Sequence, residues 1–374
     1  MLYKSKFLLI IVVINLTLIT ACSQAPKTEI KPKPSTPGEP GFTLNDATLE
    51  QADQQGKKLW KVKAKKAVYS QDKKTAKIDN VEGEFYQDNQ VVIKIKADQG
   101  EAKTEGQQVF LTGNIVATDP RNGIILKGNE AEWNPKKELL IMRNNLIINR
   151  EKMQITAQEG VYFPRQQQTE LFKKIVGTMT EPSLDLKTEH LIWQVALNKI
   201  TGDQPILITQ FKDKKMTNQA RGNWSQIDLK TNIVLVQKNV KLDSVDPPIE
   251  ITGNSMLWNL TTKMINSDQP ANIFQIKQNL KLTANNSVVD LEKQIAYLTN
   301  GVEGFGGKNQ SQISSKDLTW FMKTQEFIAL GNVNYSQLNP PFNLTGVRAV
   351  GKLQGDQIIV RGEAKQRVIT NIIP

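Results

Sequence analysis

Cysteine and histidine are almost absent from this sequence of 374 residues, which contains one of each, Cys22 and His190. A single cysteine excludes an intramolecular disulfide and a paired-cysteine metal site. A single histidine removes most histidine-based metal sites and argues against a cysteine–histidine nucleophilic pair. The sequence also lacks a phosphate-binding loop and a GxSxG nucleophile elbow. We therefore expect no metal and no cofactor.

Residues 1–22 predict export from the cytoplasm. Lys4 and Lys6 precede an apolar run over residues 7–19, which is shorter than the roughly 20 residues that a membrane-spanning helix needs. Residues 18–22 (Leu-Ile-Thr-Ala-Cys) resemble a bacterial lipobox, in which the cysteine accepts a diacylglycerol and becomes the mature N-terminus. We predict a lipoprotein signal peptide over residues 1–22 with lipidation at Cys22; an uncleaved signal anchor is the alternative. In both cases the remaining chain lies outside the cytoplasm and is attached to a membrane.

Residues 23–41 predict a linker. They contain five prolines among lysine, glutamate, serine and threonine, and almost no apolar side chain. Such a composition cannot bury a core and favours extended, polyproline-like states. At about 3.1 Å per residue, the linker could hold the folded part some tens of Å from a bilayer.

The formal net charge of +11 comes from basic residues that are spread along the chain. A basic surplus favours anionic partners such as a membrane surface or a phosphorylated lipid, and a solubilising surface explains it equally well. Nucleic acid is not expected as a partner, because the predicted signal exports the chain.

Residues 42–374 repeat with a period of about 31 residues, which is typical of stacked supersecondary units. Each copy contains alternating apolar residues that end at a small residue, and in four copies a tryptophan follows five places later. The small residues are Ala64, Ala97, Gly128, Ala157, Thr188, one near Gln219, Gly253, Ala284, Ser315 and Gly346. The copy near Gln219 departs from the pattern, and a bulge would explain the departure.

The alternation of apolar and polar residues predicts half-buried antiparallel strands. Turn residues such as those at 119–123 (Asp-Pro-Arg-Asn-Gly) separate the strands, so each copy is a hairpin and the chain holds about ten hairpins. Hairpins with one apolar face must pair those faces, which gives two facing sheets that extend along the repeat axis as an open roll or sandwich. The small residue suits a crowded bend, and we expect the tryptophans to be packing residues.

Two local features could indicate a catalytic site. Alternation places His190 on the same face as Leu184 and Leu186, and equivalent positions in other copies hold varied residues. We therefore expect an ordinary variable position rather than a catalytic one. Glu82 and Glu84 share a face by the same rule and could serve a glycosidase-like reaction, but nothing in the sequence converges on them.

The repeat resembles a known family. Residues 111–116 (Leu-Thr-Gly-Asn-Ile-Val) and 330–333 (Leu-Gly-Asn-Val) are similar to the L-x-G-N-V motif of the lipopolysaccharide-transport (Lpt) jellyroll proteins. Weaker copies are Asn80-Val81, Asn145-Leu146, Asn239-Val240 and Gly301-Val302. The opening unit, with Trp60 and Tyr69 ahead of residues 80–83 (Asn-Val-Glu-Gly), is similar to the start of LptC, the member at the inner membrane.

The resemblance implies an all-β, elongated antiparallel β-jellyroll that is open along one side and holds acyl chains in its groove. It implies docking onto the inner-membrane Lpt ABC permease near one end and onto an LptA-like roll at the other, through edge strands. It implies no enzymatic activity. The usual LptC is shorter and has a transmembrane helix. The extra hairpins here either replace part of the LptA bridge or form a second roll that begins near residue 200. We transfer only the inward stripe as lipid-groove candidates: Val62, Ile93, Ile95, Ile124, Leu126, Met153, Ile155, Leu184 and Leu186.

The expected function is therefore that of a periplasmic, membrane-anchored component of lipopolysaccharide export. Two other functions stay open on the sequence alone. One is a structural or adhesion-type envelope lipoprotein that forms a passive β rod. The other is a carbohydrate-active enzyme on a β scaffold, which would need a local cluster of carboxylates.

Overall fold

The computed structural model describes residues 40–103, 107–307, 310–352, 358–361 and 369–372. The chain divides into two units, Met1–Glu39 and Pro40–Pro374, and only the second contains described residues. The predicted signal peptide, the lipidation site Cys22 and nearly all of the predicted linker therefore lie outside the described residues. Within the described ranges, no helix is long and apolar enough to cross a membrane.

The described part of the second unit consists of β-strands and two single-turn 3₁₀ helices, Val195–Leu197 and Ile276–Gln278. The strands are β1 Pro40–Ala52, β2 Lys58–Ser70, β3 Thr75–Gln87, β4 Gln90–Lys103, β5 Val109–Thr118, β6 Ile125–Asn134, β7 Leu139–Arg150, β8 Met153–Phe163, β9 Gln168–Thr180, β10 Ser183–Gln194, β11 Lys199–Gly202, β12 Ile206–Lys212, β13 Lys215–Gly222, β14 Trp224–Asp228, β15 Ile233–Ser244, β16 Ile249–Asn259, β17 Met264–Ser267, β18 Ala271–Gln275, β19 Leu280–Asp290, β20 Ile295–Gly306, β21 Ser311–Ser315, β22 Asp317–Phe321, β23 Glu326–Leu338, β24 Pro341–Lys352, β25 Ile358–Arg361 and β26 Ile369–Ile372.

These strands form one antiparallel meander, in which each long strand pairs with the long strands before and after it. Four of the long strands are interrupted once, so each is counted as two. The interrupted strands are β11 with β12, β13 with β14, β17 with β18, and β21 with β22. The last described strands, β25 and β26, both pair with β24. The predicted all-β jellyroll of repeated hairpins is confirmed. Its division near residue 200 stays a prediction.

Alternate strands bend sharply at two successive residues in the left-handed conformation. These pairs are Gly113 and Asn114, Asn144 and Asn145, Lys173 and Lys174, Lys238 and Asn239, Asn300 and Gly301, and Gly331 and Asn332. A left-handed pair interrupts the ladder and redirects the strand. The pair coincides with the L-x-G-N-V motif, so the motif encodes a corner.

The repeated small residue lies opposite each corner. Gly128 pairs with Ile115, directly after the corner at Gly113 and Asn114, and Ala157 pairs with Leu146 in the next copy. Close approach at the bend leaves little room for a longer side chain. The predicted role of the small residues as bend positions agrees with this pairing.

The corner divides each long strand between two walls. The first wall contains the stripe from Val62 to Leu186, and the second contains the repeated tryptophans. Phe85 of the first wall stacks on Trp133 of the second, with ring centroids 4.7 Å apart. These side chains lie on β3 and β6, so each strand's first-wall segment faces the second-wall segment about three strands further on. The accumulated twist of the sheet accounts for this offset.

The sequence-based position of the copy near Gln219 is wrong. Gly222 is the small residue of that copy, because it pairs with Ile206 directly after an interruption at residues 203–205. The interior position five places later holds Ile227, which is buried. The hairpin of β12 and β13 is longer than the equivalent hairpins of the other copies, and a fixed period cannot detect this difference.

Candidate functional site

The nine predicted groove residues all point into the space between the walls. Each is at most 8% exposed, and all belong to one continuous apolar cluster. They are Val62, Ile93, Ile95, Ile124, Leu126, Met153, Ile155, Leu184 and Leu186. Contact of these residues with a lipid stays a prediction.

Sequence reasoning missed the residues that lie between the stripe positions on the intervening strands. Ala117 and Ile148 flank Leu126 in the register, and both are buried. Gly177 lies opposite Leu186, and a Cβ on it would come within 2.8 Å of that side chain. Glycine here makes room for leucine, so large and small residues fill the interior in alternation.

The second wall is lined by aromatic side chains. Trp133, Trp193, Trp258 and Trp320 are each 1% exposed, which confirms that they are packing residues. Their indole Nε1 atoms are buried without a hydrogen-bond partner among the described residues. The shape of the ring, rather than its N–H group, therefore explains its use at these positions.

An apolar cavity lies between the walls near the middle of the chain. Met153, Leu184 and Leu186 line it from the first wall, and Ile200, Ile227 and Leu229 line it from the second. It is a small gap with a volume of about 10 Å³, and its surface is apolar. Three of the nine predicted groove residues therefore border a place where the two walls leave a small apolar gap.

Turns at the ends of the two walls meet along one side, which we call the seam. The clearest contact joins the turn at residues 119–123 to the turn after β8. Asp119 accepts hydrogen bonds from Arg121 Nη2 at 2.6 Å and Nε at 3.0 Å, and from the Tyr162 hydroxyl at 2.5 Å. Arg121 Nη2 also donates to the Pro164 carbonyl at 2.7 Å. A fully buried carboxylate thus holds the two walls together.

The electrostatics of this contact agree with its geometry. The hydrogen bond to Asp119 raises the pKa of Arg121. Burial raises the pKa of Tyr162, and its hydrogen bond to the Asp119 carboxylate raises it further. Both partners therefore stay in the protonated form that donates to Asp119 across the physiological pH range.

Other polar contacts continue the seam along the roll. Arg150 Nη1 donates to the Val195 carbonyl at 3.0 Å and to Asn198 Oδ1 at 2.9 Å. Gln210 Nε2 donates to the Leu260 carbonyl at 3.1 Å. Most of these partners are about 45 residues apart in the chain, in agreement with the three-strand offset of the walls. The predicted open side is closed in this structure by separate polar contacts.

His190 lies outside the roll, and its predicted face is wrong. The register shifts between Thr188 and His190 at the corner, so Leu191 is buried and His190 points outward. Its Nδ1 lies 2.7 Å from Asp203 and its Nε2 lies 3.0 Å from Glu170. Burial lowers the pKa of His190, but hydrogen bonds to Asp203 and then Glu170 outweigh this effect and raise it.

The two carboxylates bond to opposite nitrogens of His190, so the three groups do not converge on one point. Across the described ranges, no three histidine, cysteine, aspartate or glutamate side chains are placed to hold a metal ion. The pair Glu82 and Glu84 lies on the outer face, where Glu82 binds Lys96 and Glu84 accepts from the Tyr86 hydroxyl. Both carboxylates thus have partners of their own on the surface of the sheet.

The fold and interior define a β-jellyroll with an apolar core that is closed along a polar seam. Residues 7–141 match the family model described as "Lipopolysaccharide-assembly, LptC-related". This part of the chain is an LptC-related domain within a longer chain, which confirms the resemblance that the motif indicated. The match includes Val62, Ile93, Ile95, Ile124 and Leu126. A comparison with curated proteins gives no significant match.

Proposed function

We propose that this protein is a periplasmic component of lipopolysaccharide export that carries the acyl chains of the lipid between its two walls. The observation that carries the proposal is the continuous apolar interior of a roll whose N-terminal part is LptC-related. Lipid would arrive from an inner-membrane ABC permease and pass along the stripe. The basic surface would favour phosphorylated headgroups.

Acyl chains would enter through the seam. Most of its contacts are hydrogen bonds to neutral acceptors that water can replace, each contributing about 1 kcal/mol net, and the buried carboxylate of Asp119 is its stronger contact. Burial of acyl methylenes gives about 0.8 kcal/mol each, so one long chain offers roughly 10 kcal/mol. That gain can exceed the free energy lost when several seam contacts break. The acyl chains would also replace the apolar contacts between the two walls that are lost when the walls separate. The small apolar gap beside Met153 is where we expect the walls to separate first.

Docking would use the edge of the first strand that pairs with no other strand among the described residues. Strand β1 pairs with β2 on one side, and its residues Phe42 and Leu44 are exposed. A strand from the permease or from an LptA-like roll could extend the sheet there through main-chain hydrogen bonds. The N-terminal anchor, through Cys22 or an uncleaved signal, would keep this end of the chain at the inner membrane.

A passive envelope rod is the second candidate function. The filled interior favours it, since Gly177 and Leu186 fit together without spare volume. A rod would need no lipid, and its apolar stripe would serve as a core alone.

Site-specific photo-cross-linking in cells separates the two functions. A photoreactive amino acid at Leu126 points into the interior, and the same group at the exposed neighbour Lys127 points outward. Lipid transport predicts capture of lipopolysaccharide from position 126 and much less from position 127. Equal capture from both positions, or none from position 126 while the protein is folded, would refute transport through the interior.

A further inference from the structure

The side chains that line the interior become more polar along the roll. On each strand of the first wall, one inward residue lies nearest the seam, and we call this series the rim row. From β3 to β10 the rim row is mostly apolar, apart from the fully buried Asp119, and includes Phe85, Ile93, Ile124, Met153 and Leu184. From β12 onward buried amides and hydroxyls join buried apolar residues such as Ile249 and Leu280, and the polar members are Gln210, Asn218, Ser244, Gln275, Ser311 and Gln337.

Three of these polar residues are consecutive neighbours. Leu184 pairs with Gln210, Gln210 pairs with Asn218, and Asn218 pairs with Ser244. Neighbouring strands are about 4.8 Å apart, so one extended molecule could contact all four residues. The polar segment therefore begins where the predicted apolar stripe ends.

The hydrogen-bond network fixes the orientation of the Asn218 amide. The Leu260 carbonyl can only accept, so the group of Gln210 that faces it at 3.1 Å is Nε2. Gln210 Oε1 then faces Asn218 and accepts from its Nδ2 at 2.9 Å. Asn218 Oδ1 is left buried without a partner among the described residues.

Ser244 presents a second unsatisfied group. Its hydroxyl is buried and has no partner among the described residues. Asn218 and Ser244 are 6% and 7% exposed, so desolvation of each costs free energy that no protein hydrogen bond offsets. Asn218 Oδ1 requires a donor, whereas the Ser244 hydroxyl can donate or accept. A hydroxyl group on a ligand, which donates and accepts at once, satisfies both.

We propose that Asn218 and Ser244 form a binding site for a hydroxyl group carried by the acyl part of a lipid. The inference rests on the proposed function, because a lipid must enter the roll to reach the site. The acyl chain would lie against Leu184 and the stripe before it, and its hydroxyl would lie between Asn218 and Ser244. Both side chains are neutral, so the site selects hydroxyl groups rather than phosphate.

Competition binding on the full chain tests the site, with palmitic acid and a hydroxypalmitic acid as probes that displace a fluorescent fatty acid. The two acids share the same charge and length, so their ratio isolates the hydroxyl. One net hydrogen bond predicts that the wild type binds the hydroxylated acid about fivefold more tightly. Ser244→Ala should reduce this preference, and Asn218→Leu combined with Ser244→Ala should remove it while palmitic acid still binds. The outward neighbour Gln219 supplies the control variant Gln219→Leu, which should keep the preference.

The outcomes separate the site from the transport function. If both acids bind the wild type equally, the hydroxyl site is wrong and lipid binding stands. A preference that survives in the double variant places the hydroxyl elsewhere and also overturns the site. If neither acid binds, the proposed function fails and the site fails with it. Ser244→Ala removes an unpaired buried hydroxyl, so its melting temperature should not fall; a clear fall would show that the hydroxyl is structurally satisfied, against the proposal.

Discussion

The seam contact at Asp119 gives the sharpest test of how the roll is held closed. Arg121→Ala removes the guanidinium that bonds both oxygens of Asp119, at 3.0 and 2.6 Å, together with the bond to the Pro164 carbonyl. The Asp119 side chain is fully buried, so the variant leaves a carboxylate without its counter-charge.

The expected cost follows from the burial of the pair. Loss of one partner from a buried ion pair costs about 3–5 kcal/mol. Arg121 itself is partly exposed, so water can reach the vacated space, and the Tyr162 hydroxyl still donates to Asp119. We therefore expect a loss of about 2 kcal/mol in the local free energy of opening. Addition of Asp119→Asn should recover part of this loss, because it removes the uncompensated charge.

Hydrogen exchange measures this opening where it occurs, which suits a repeat structure whose neighbouring hairpins unfold locally. The amide of Gly123 donates to the Asp119 carbonyl at 3.0 Å and reports on the turn. A loss of about 2 kcal/mol corresponds to roughly thirtyfold faster exchange. Arg143→Ala is the control, since Arg143 is 40% exposed and lies 3.6 Å from Glu132, and such a pair contributes at most about 1 kcal/mol.

Two results would refute the reasoning. Exchange at Gly123 that accelerates less than about threefold would mean that Asp119 does not hold the seam. An equal acceleration in Arg143→Ala would show that the effect is not specific to the buried pair. If the seam also admits lipid, Arg121→Ala should speed fatty-acid uptake as well.

Two further predictions concern a titrating side chain and a corner. Asp203 and Glu170 raise the pKa of His190, so the stability that His190 contributes is complete below its ordinary pKa of 6.5 and is lost as pH rises through the raised pKa. Urea unfolding should therefore show that the stability advantage of wild type over His190→Gln shrinks as pH rises from about 6 to 8. An advantage that stays constant or grows would contradict this. Gly113→Ala should lower the melting temperature more than Gly123→Ala. Both glycines have a positive φ, but a Cβ on Gly113 would lie 2.6 Å from an Asp98 oxygen, whereas a Cβ on Gly123 would meet nothing within 4 Å. Equal effects would show that backbone strain alone decides the cost.

The L-x-G-N-V motif illustrates how far the sequence leads. Its recurrence identified the repeat and the resemblance, and both are confirmed. Its physical meaning needed the structure: Gly113 and Asn114 have φ values of 78° and 42°, a conformation that glycine and asparagine adopt at low cost. Lys173 and Lys174 form the same corner without a recognisable motif, so the sequence pattern alone could not locate it.

The errors have the same origin. Strict alternation places His190 on the inner face, but the register shifts by one residue at the corner. A fixed period misplaces the copy near Gln219 because one hairpin is longer than the others. Period and alternation describe the regular part of a repeat, and they fail where the chain bends or changes length.

By itself, the sequence determined the repeated hairpins, the apolar stripe from Val62 to Leu186 and the packing role of the tryptophans. These properties depend on local alternation and on a period that each copy repeats. Only the tertiary structure decided which residues face each other across the interior, because the offset of the walls accumulates from the twist of several strands. That geometry brings Asp119 to Tyr162 and Asn218 to Ser244, and no spacing in the sequence predicts either contact.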